Sequence, residues 1–176
     1  MTIFVGVDPG RFGAIAALYG DHVVTVDPIP TLEAAVKNKR KQGRREYDIP
    51  SIREHIFELG PLAELFVTVE QSRPLPPTMK GGSIANFHRG VSRAGWEWML
   101  VALRVSYQLV SPQKWQREMH AGLPGSDTKQ KSILAAQRLF PDADLRRTER
   151  CRKKDDGMAE ALLLAEFGRR TRGTEE

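Results

Sequence analysis

The sequence predicts an α/β protein with a mixed central sheet flanked by helices, and three observations predict it. Three apolar stretches, at 3–8, 13–19 and 22–28, succeed one another with turn residues between them. A later apolar run, "FVTVE", follows a segment with apolar residues at helical spacing and ends on Glu70. The C-terminal half then carries helical periodicity over about 112–120, 127–139 and 156–169.

The first strand rises through Ile3, Phe4, Val5 and Val7, a pattern suited to burial on both faces, and ends on Asp8 before Pro9-Gly10. A carboxylate there is costly to bury unpaired, so it requires a cation, strong hydrogen bonds or exposure at the strand end. Gly20-Asp21 is a tight hairpin signal between the second and third strands. From Pro50, with Ser51 as an early cap, Ile52, Ile56 and Leu59 mark a helix. "LAELFVTVE" leads into a buried strand, and "SRPLPPTMKGGS" is a Pro/Gly-rich loop. Residues 84–103 read as a long helix and 105–110 as a short strand. There is no internal repeat and no composition shift, so residues 1–176 are expected to form one domain.

Composition narrows the function classes. Apolar residues make up 40% and charged residues 28%, as in soluble globular proteins. No apolar run reaches about 18 residues, and the N-terminus lacks the shape of a signal peptide, so no membrane partner is expected. A single cysteine, Cys151, excludes an internal disulfide framework and suits a reducing cytosol. The net charge of +5 favours a polyanionic partner. Much of that charge lies in two blocks, Lys37, Lys39, Arg40, Lys41, Arg44 and Arg45, then Arg146, Arg147, Arg150, Arg152, Lys153 and Lys154. Each block is either a solvated loop or a contact to a phosphate backbone, and two in one small domain favour the latter.

The carboxylates form a pattern. Asp8 and Glu70 both end apolar strands in the same sense, so neighbouring strands would bring both acids to one sheet edge. In "KKDDGMAEALLLAEF", Asp156 and Glu160 are four apart and share a helix face, while Ala159, Leu162, Leu163 and Phe167 supply the side that docks. Asp156 alone also reads as an ordinary acid at a helix start. Four converging acids repel one another unless a cation sits between them. Hard oxygen ligands suit Mg²⁺ or Mn²⁺, and two ions about 4 Å apart can clamp the attacking and leaving oxygens of a phosphodiester.

The sequence resembles the RuvC-type Holliday-junction resolvases (crossover junction endodeoxyribonucleases), in particular their shorter phage-like branch. The matching pieces are "VGVDPGRFGAIA", "VEQ" at 69–71, "SPQKWQREM" at 111–119, "TKQKSILAAQRLFP" at 128–141 and "KDDGMAEALLLAEFGRR" at 154–170, in family order. The resemblance implies a ribonuclease H-like fold and a homodimeric endonuclease that binds four-way and branched DNA. It implies paired symmetric nicks that resolve the junction and leave ligatable ends, with two Mg²⁺ per site and Mn²⁺ able to substitute. It assigns metal binding to Asp8, Glu70 and Glu160. Asp155 and Asp156 compete for the remaining place, and the four-residue spacing to Glu160 favours Asp156, since the bacterial acid-or-histidine position is here Gly157. Lys129 matches a basic position near the scissile phosphate, where it would stabilise developing charge; alternatively it is a solvated lysine at a helix start.

A second departure from the family pattern concerns DNA distortion. Bacterial relatives carry an aromatic wedge after the "VEQ"-like strand, whereas this chain has Arg73, Leu75 and Met79 there. Phe87 falls later, on the helix read as dimer-facing. Lys114 and Arg117 are candidates for backbone contact, and Trp115 reads as a core anchor. Trp96, Trp98, Met99 and Leu103 belong either to the core or to a dimer seam, while His88 and His120 fall in no ligand pattern. Three other functions compete: a less specific branched-DNA nuclease, an actin-like-fold nucleotide hydrolase suggested by "VDPGRFGAIAA", and a non-catalytic junction binder. No second phosphate hairpin supports the hydrolase, and the intact acids oppose the binder.

Overall fold

The first strand is apolar on both faces because it is covered on both. It lies at the centre of a mixed five-stranded sheet in a computed structural model describing residues 1–33, 45–72, 74, 76 and 82–172. Outside the described residues fall the first basic block from Lys37 to Arg44, and Arg73, Leu75 and Met79. In chain order the strands are β1 (Ile3–Val7), β2 (Ala14–Tyr19), β3 (His22–Pro28), β4 (Thr31–Glu33), β5 (Arg45–Tyr47), β6 (Leu65–Glu70) and β7 (Ser106–Val110). The helices are α1 (Ile49–Glu58), α2 (Gly82–Ala102), α3 (Pro112–Met119), α4 (Thr128–Leu139) and α5 (Asp156–Arg172). None of the described helices is long and apolar enough to cross a membrane.

The main sheet runs β3-β2-β1-β6-β7, antiparallel from β3 to β1 and parallel from β1 through β6 to β7. Its two faces follow the strand period of two. Ile3, Val5, Val7, Val67 and Val69 join Ile52 and Ile56 of α1 and Trp96 and Leu100 of α2 in one core. Ala14, Ala16 and Leu18 join α3, α4 and α5 in the other, around Trp115, Met158, Leu162 and Phe167. The residues facing α5 are small for a reason. A Cβ at Gly6 would stand 1.9 Å from the carbonyl oxygen of Ala161 and 2.3 Å from the amide nitrogen of Ala165. The backbone of α5 therefore lies directly on β1, an approach only glycine permits.

The expected elements are present, with three local differences. Asp48 caps α1, its Oδ1 accepting the Ser51 amide at 3.2 Å and its Oδ2 the Ser51 hydroxyl at 2.7 Å, so Ser51 is the capped residue. An N-cap side chain accepts from the amide two or three residues on, so the Asp48 carboxylate fits the Ser51 amide and the helix starts ahead of the serine. The long helix begins at Gly82 and stops at Ala102, where Arg104 takes a left-handed conformation with φ of 56°. The two-stranded β4–β5 pair has strands of three residues each, too short to leave a periodic signal.

Candidate active site

Register alone brings two of the acids together. Val7 of β1 pairs with Val69 of β6 in parallel, so Asp8 and Glu70 are the next residues on adjacent strands, emerging at the same edge. Asp8 enters a turn closed by its own amide donating to the carbonyl of Ala14 at 3.1 Å and by Gly13 N–H donating to Gly10 at 2.8 Å. The Gly10 amide donates to Asp8 Oδ1 at 3.1 Å. Tyr47 steadies the same turn from outside, donating its hydroxyl to the Pro9 carbonyl at 2.6 Å.

The N-terminal turn of α5 meets this edge. A Cβ at Gly157 would stand 3.2 Å from Asp8 Oδ2 and 2.9 Å from the Phe12 carbonyl oxygen, so the helix start rests against both the acid and its turn. Glu160, one turn further along, is raised to about 8 by burial and then by the charges of Asp8 and Glu70. Glu70 is raised to about 7 by burial and by Asp8, with the Trp115 hydrogen bond pulling the other way. Burial also pushes Asp8 up against the opposing Gly10 N–H, and Asp156 and Asp155 push it further. Asp8, Glu70, Asp156 and Glu160 thus repel one another in one partly buried pocket.

Each acid has a distinct support. Trp115 of α3 is fully buried and donates its indole N–H to Glu70 Oε2 at 2.9 Å. Ser132 of α4, also fully buried, has its Oγ 3.2 Å from Glu160 Oε1, 3.0 Å from the Thr128 carbonyl and 3.1 Å from His120 Nε2. Lys129 Nζ stands 2.5 Å from Asp156 Oδ2, and this contact is the main cause that raises the lysine. The neighbouring Asp155 is differently committed. Both its oxygens face Arg147, at 2.8 and 3.1 Å, and Oδ1 also accepts the Met158 amide at 3.1 Å. Burial would raise Asp155, but the Arg147 hydrogen bond and the backbone amides outweigh it and leave the group below its ordinary value.

Asp8, Glu70 and Glu160, with raised proton affinity, and Asp156 beside them offer hard oxygen donors, and a hard cation would replace the protons and relieve the repulsion. Among the described residues, no three His, Cys, Asp or Glu side chains are grouped so as to hold one ion by themselves.

Several residues take places that their sequence positions did not disclose. Trp115 is a core anchor, as read, and also a hydrogen-bond donor to Glu70; the two are 45 residues apart. Ser132 and Arg147 reach the site acids with no local signal in the sequence. His88 accepts from Arg11 at 2.6 Å, and His120 meets Ser132. Within the second basic block, Arg146 pairs with Asp144 and Arg147 with Asp155, so these two cations are engaged internally. Trp96 is core, whereas Trp98 is 76% exposed.

No protein-family model matches the sequence, and no curated protein matches it. Solved structures do. A Thermus thermophilus RuvC in complex with a Holliday junction substrate superposes with a TM-score of 0.55, covering 99% of this chain and 98% of that one at 12% identity. A second Thermus thermophilus RuvC structure gives 0.54, covering 98% of each chain at 14% identity. This chain has the ribonuclease H-like fold of RuvC. The likeness runs through the whole chain and resides in backbone architecture, since about seven residues in eight differ.

Proposed function

We propose that the chain is a metal-dependent, structure-selective endonuclease that resolves four-way DNA junctions by paired symmetric nicks, of the phage-like RuvC branch. The observation that carries this reading is the meeting of Asp8 and Glu70, from adjacent parallel strands, with Asp156 and Glu160 of the helix laid across them. The RuvC fold supports it, and the capture of a Holliday junction by one structural neighbour supports the choice of substrate.

Asp8, Glu70, Asp156 and Glu160 would hold two Mg²⁺ ions, with Mn²⁺ as a substitute. Bound there, the ions supply Lewis acidity toward the scissile phosphate and a nucleophilic water at neutral pH. The protein's own contribution is alignment. Trp115 fixes Glu70 by its N–H, and Ser132 sits against Glu160. Lys129 is two-thirds exposed, so it can turn from Asp156 to a phosphate oxygen once a cation occupies that carboxylate and can stabilise developing charge.

Paired nicks require two sites, and α2 offers a seam for a second copy. Ile84, Phe87, Val91, Trp98 and Val101 are exposed at alternating three- and four-residue intervals (with Ala94 completing the series), as in helices that pair lengthwise. Cleavage of synthetic four-way junctions, Y-forks and linear duplexes with Mg²⁺ tests the reading. Symmetric nicks confined to the four-way junction are expected. Equal cutting of forks would favour the less specific branched-DNA nuclease, and DNA-independent ATP hydrolysis would favour the nucleotide hydrolase.

A further inference from the structure

We infer that Arg147 is a positioning residue: its guanidinium ties the start of α5 to the β1–β2 turn and so sets the separation of Asp8 from Asp156 and Glu160. The inference rests on the proposed metal-dependent nuclease and concerns how that site is held.

Arg147 belongs to a run of cations whose sequence suggests a solvated, DNA-facing patch, yet its side chain is only 22% exposed. Nε donates to Asp155 Oδ2 at 2.8 Å and Nη2 to Oδ1 at 3.1 Å, the forked pairing that arginine makes and lysine does not. Nη2 also donates to the Phe12 carbonyl, four residues beyond Asp8 on the same turn. The partner is equally fixed. Asp155 accepts the Met158 amide, and its own amide donates to the Leu145 carbonyl at 2.7 Å, closing the segment that carries Arg147. One side chain therefore joins three pieces of backbone: the β1–β2 turn, the 145–155 segment and the first turn of α5. Gly157 lies inside the angle they make, against Asp8 Oδ2 and the Phe12 carbonyl. Both oxygens of Asp155 face a largely buried guanidinium. Asp156 is instead paired through Oδ2 with Lys129, which is two-thirds exposed and free to turn away, so Asp156 is the acid available to a cation and Asp155 serves as its support.

The variants that test this are R147K, R147A, D155N and R147A/D155N in the full-length protein; asparagine still caps a helix, so D155N removes the ion pair and keeps the cap. Mn²⁺ binding by calorimetry without DNA, the Mg²⁺ midpoint of junction cleavage, Ca²⁺-supported junction binding and the melting temperature would be measured. R147A and D155N should each weaken Mn²⁺ binding and raise the Mg²⁺ midpoint about ten-fold. The double variant should be no worse than either single one, and R147K should recover only part of the loss. Junction binding in Ca²⁺ should change little. An unchanged metal midpoint with weakened junction binding would overturn the inference and make Arg147 a phosphate contact. A much larger metal defect in D155N than in R147A would also overturn it and make Asp155 a ligand. Wild-type protein that binds Mn²⁺ but cuts no junction would remove the proposed function, while the Mn²⁺ arm still decides the clamp. Wild-type protein that binds no Mn²⁺ overturns both.

Discussion

Trp115 shows how much chemistry one side chain can hide. By volume it is among the largest fully buried residues, and its aromatic body packs where a leucine or phenylalanine could, yet its single polar atom points at Glu70. Trp115→Phe keeps most of the packing and removes the donor. Because that bond lowers Glu70, its loss should raise the glutamate further and move the alkaline rise of the pH–rate profile upward, with about ten-fold lower kcat at neutral pH. A profile that falls uniformly without shifting would assign Trp115 to packing alone. Gly157→Ala tests the opposite kind of residue, one chosen for what it lacks. Its methyl group would stand 2.9 Å from the Phe12 carbonyl, so the turn or the helix start must give way. Cleavage should fall about ten-fold or more with only a modest loss of stability, about 1–3 kcal/mol, measured by denaturant titration.

At the scale of elements, α5 combines two tasks usually divided between helices. Its first turns carry Asp156 and Glu160, while Ala161, Leu162, Leu163, Leu164, Ala165 and Phe167 lie fully or almost fully buried. Gly6→Ala places a methyl group inside the Ala161 carbonyl's contact distance, backbone against backbone, and nothing flexible can yield. It should cost about 3 kcal/mol or more and separate α5 from β1, read as a lowered melting temperature with parallel loss of Mn²⁺ binding. The strands and helices were legible from the sequence because their burial is periodic, and the strand-end acids because a carboxylate closing an apolar run needs a reason. Asp48 was hidden because Ser51, a comparable cap, stood three residues away. Arg147 looked like every other arginine in its block, since a pairing with Asp155 and a carbonyl 135 residues away leaves no trace in composition. The same contact distinguishes Asp155 from Asp156, which the sequence separates only by spacing to Glu160.

At the scale of the molecule, the acidic pocket is a liability of the metal-free fold. Glu70 and Glu160 are raised to about 7 and about 8, so the native state retains protons that the unfolded chain has already released. Stability of the metal-free protein should therefore fall as pH rises from about 5 to about 8, the range between the unfolded and folded values. Mg²⁺ should raise the melting temperature more at about pH 8 than at about pH 6, and Glu160→Gln should abolish cleavage while stabilising the metal-free protein at the higher pH. Equal Mg²⁺ stabilisation at both pH values would contradict the shared pocket. The exposed row on α2 makes a separate prediction. Trp98→Glu should shift sedimentation toward the monomer and uncouple the two nicks, leaving single-strand cuts at an otherwise intact junction. The glycine contact between β1 and α5 has one more consequence. With two main chains touching, that part of the frame has no slack to widen or narrow. In the proposed metal site, ions of different radius would then be accommodated by side-chain torsions, and discrimination between magnesium and calcium would be set by how far four carboxylate arms can rotate.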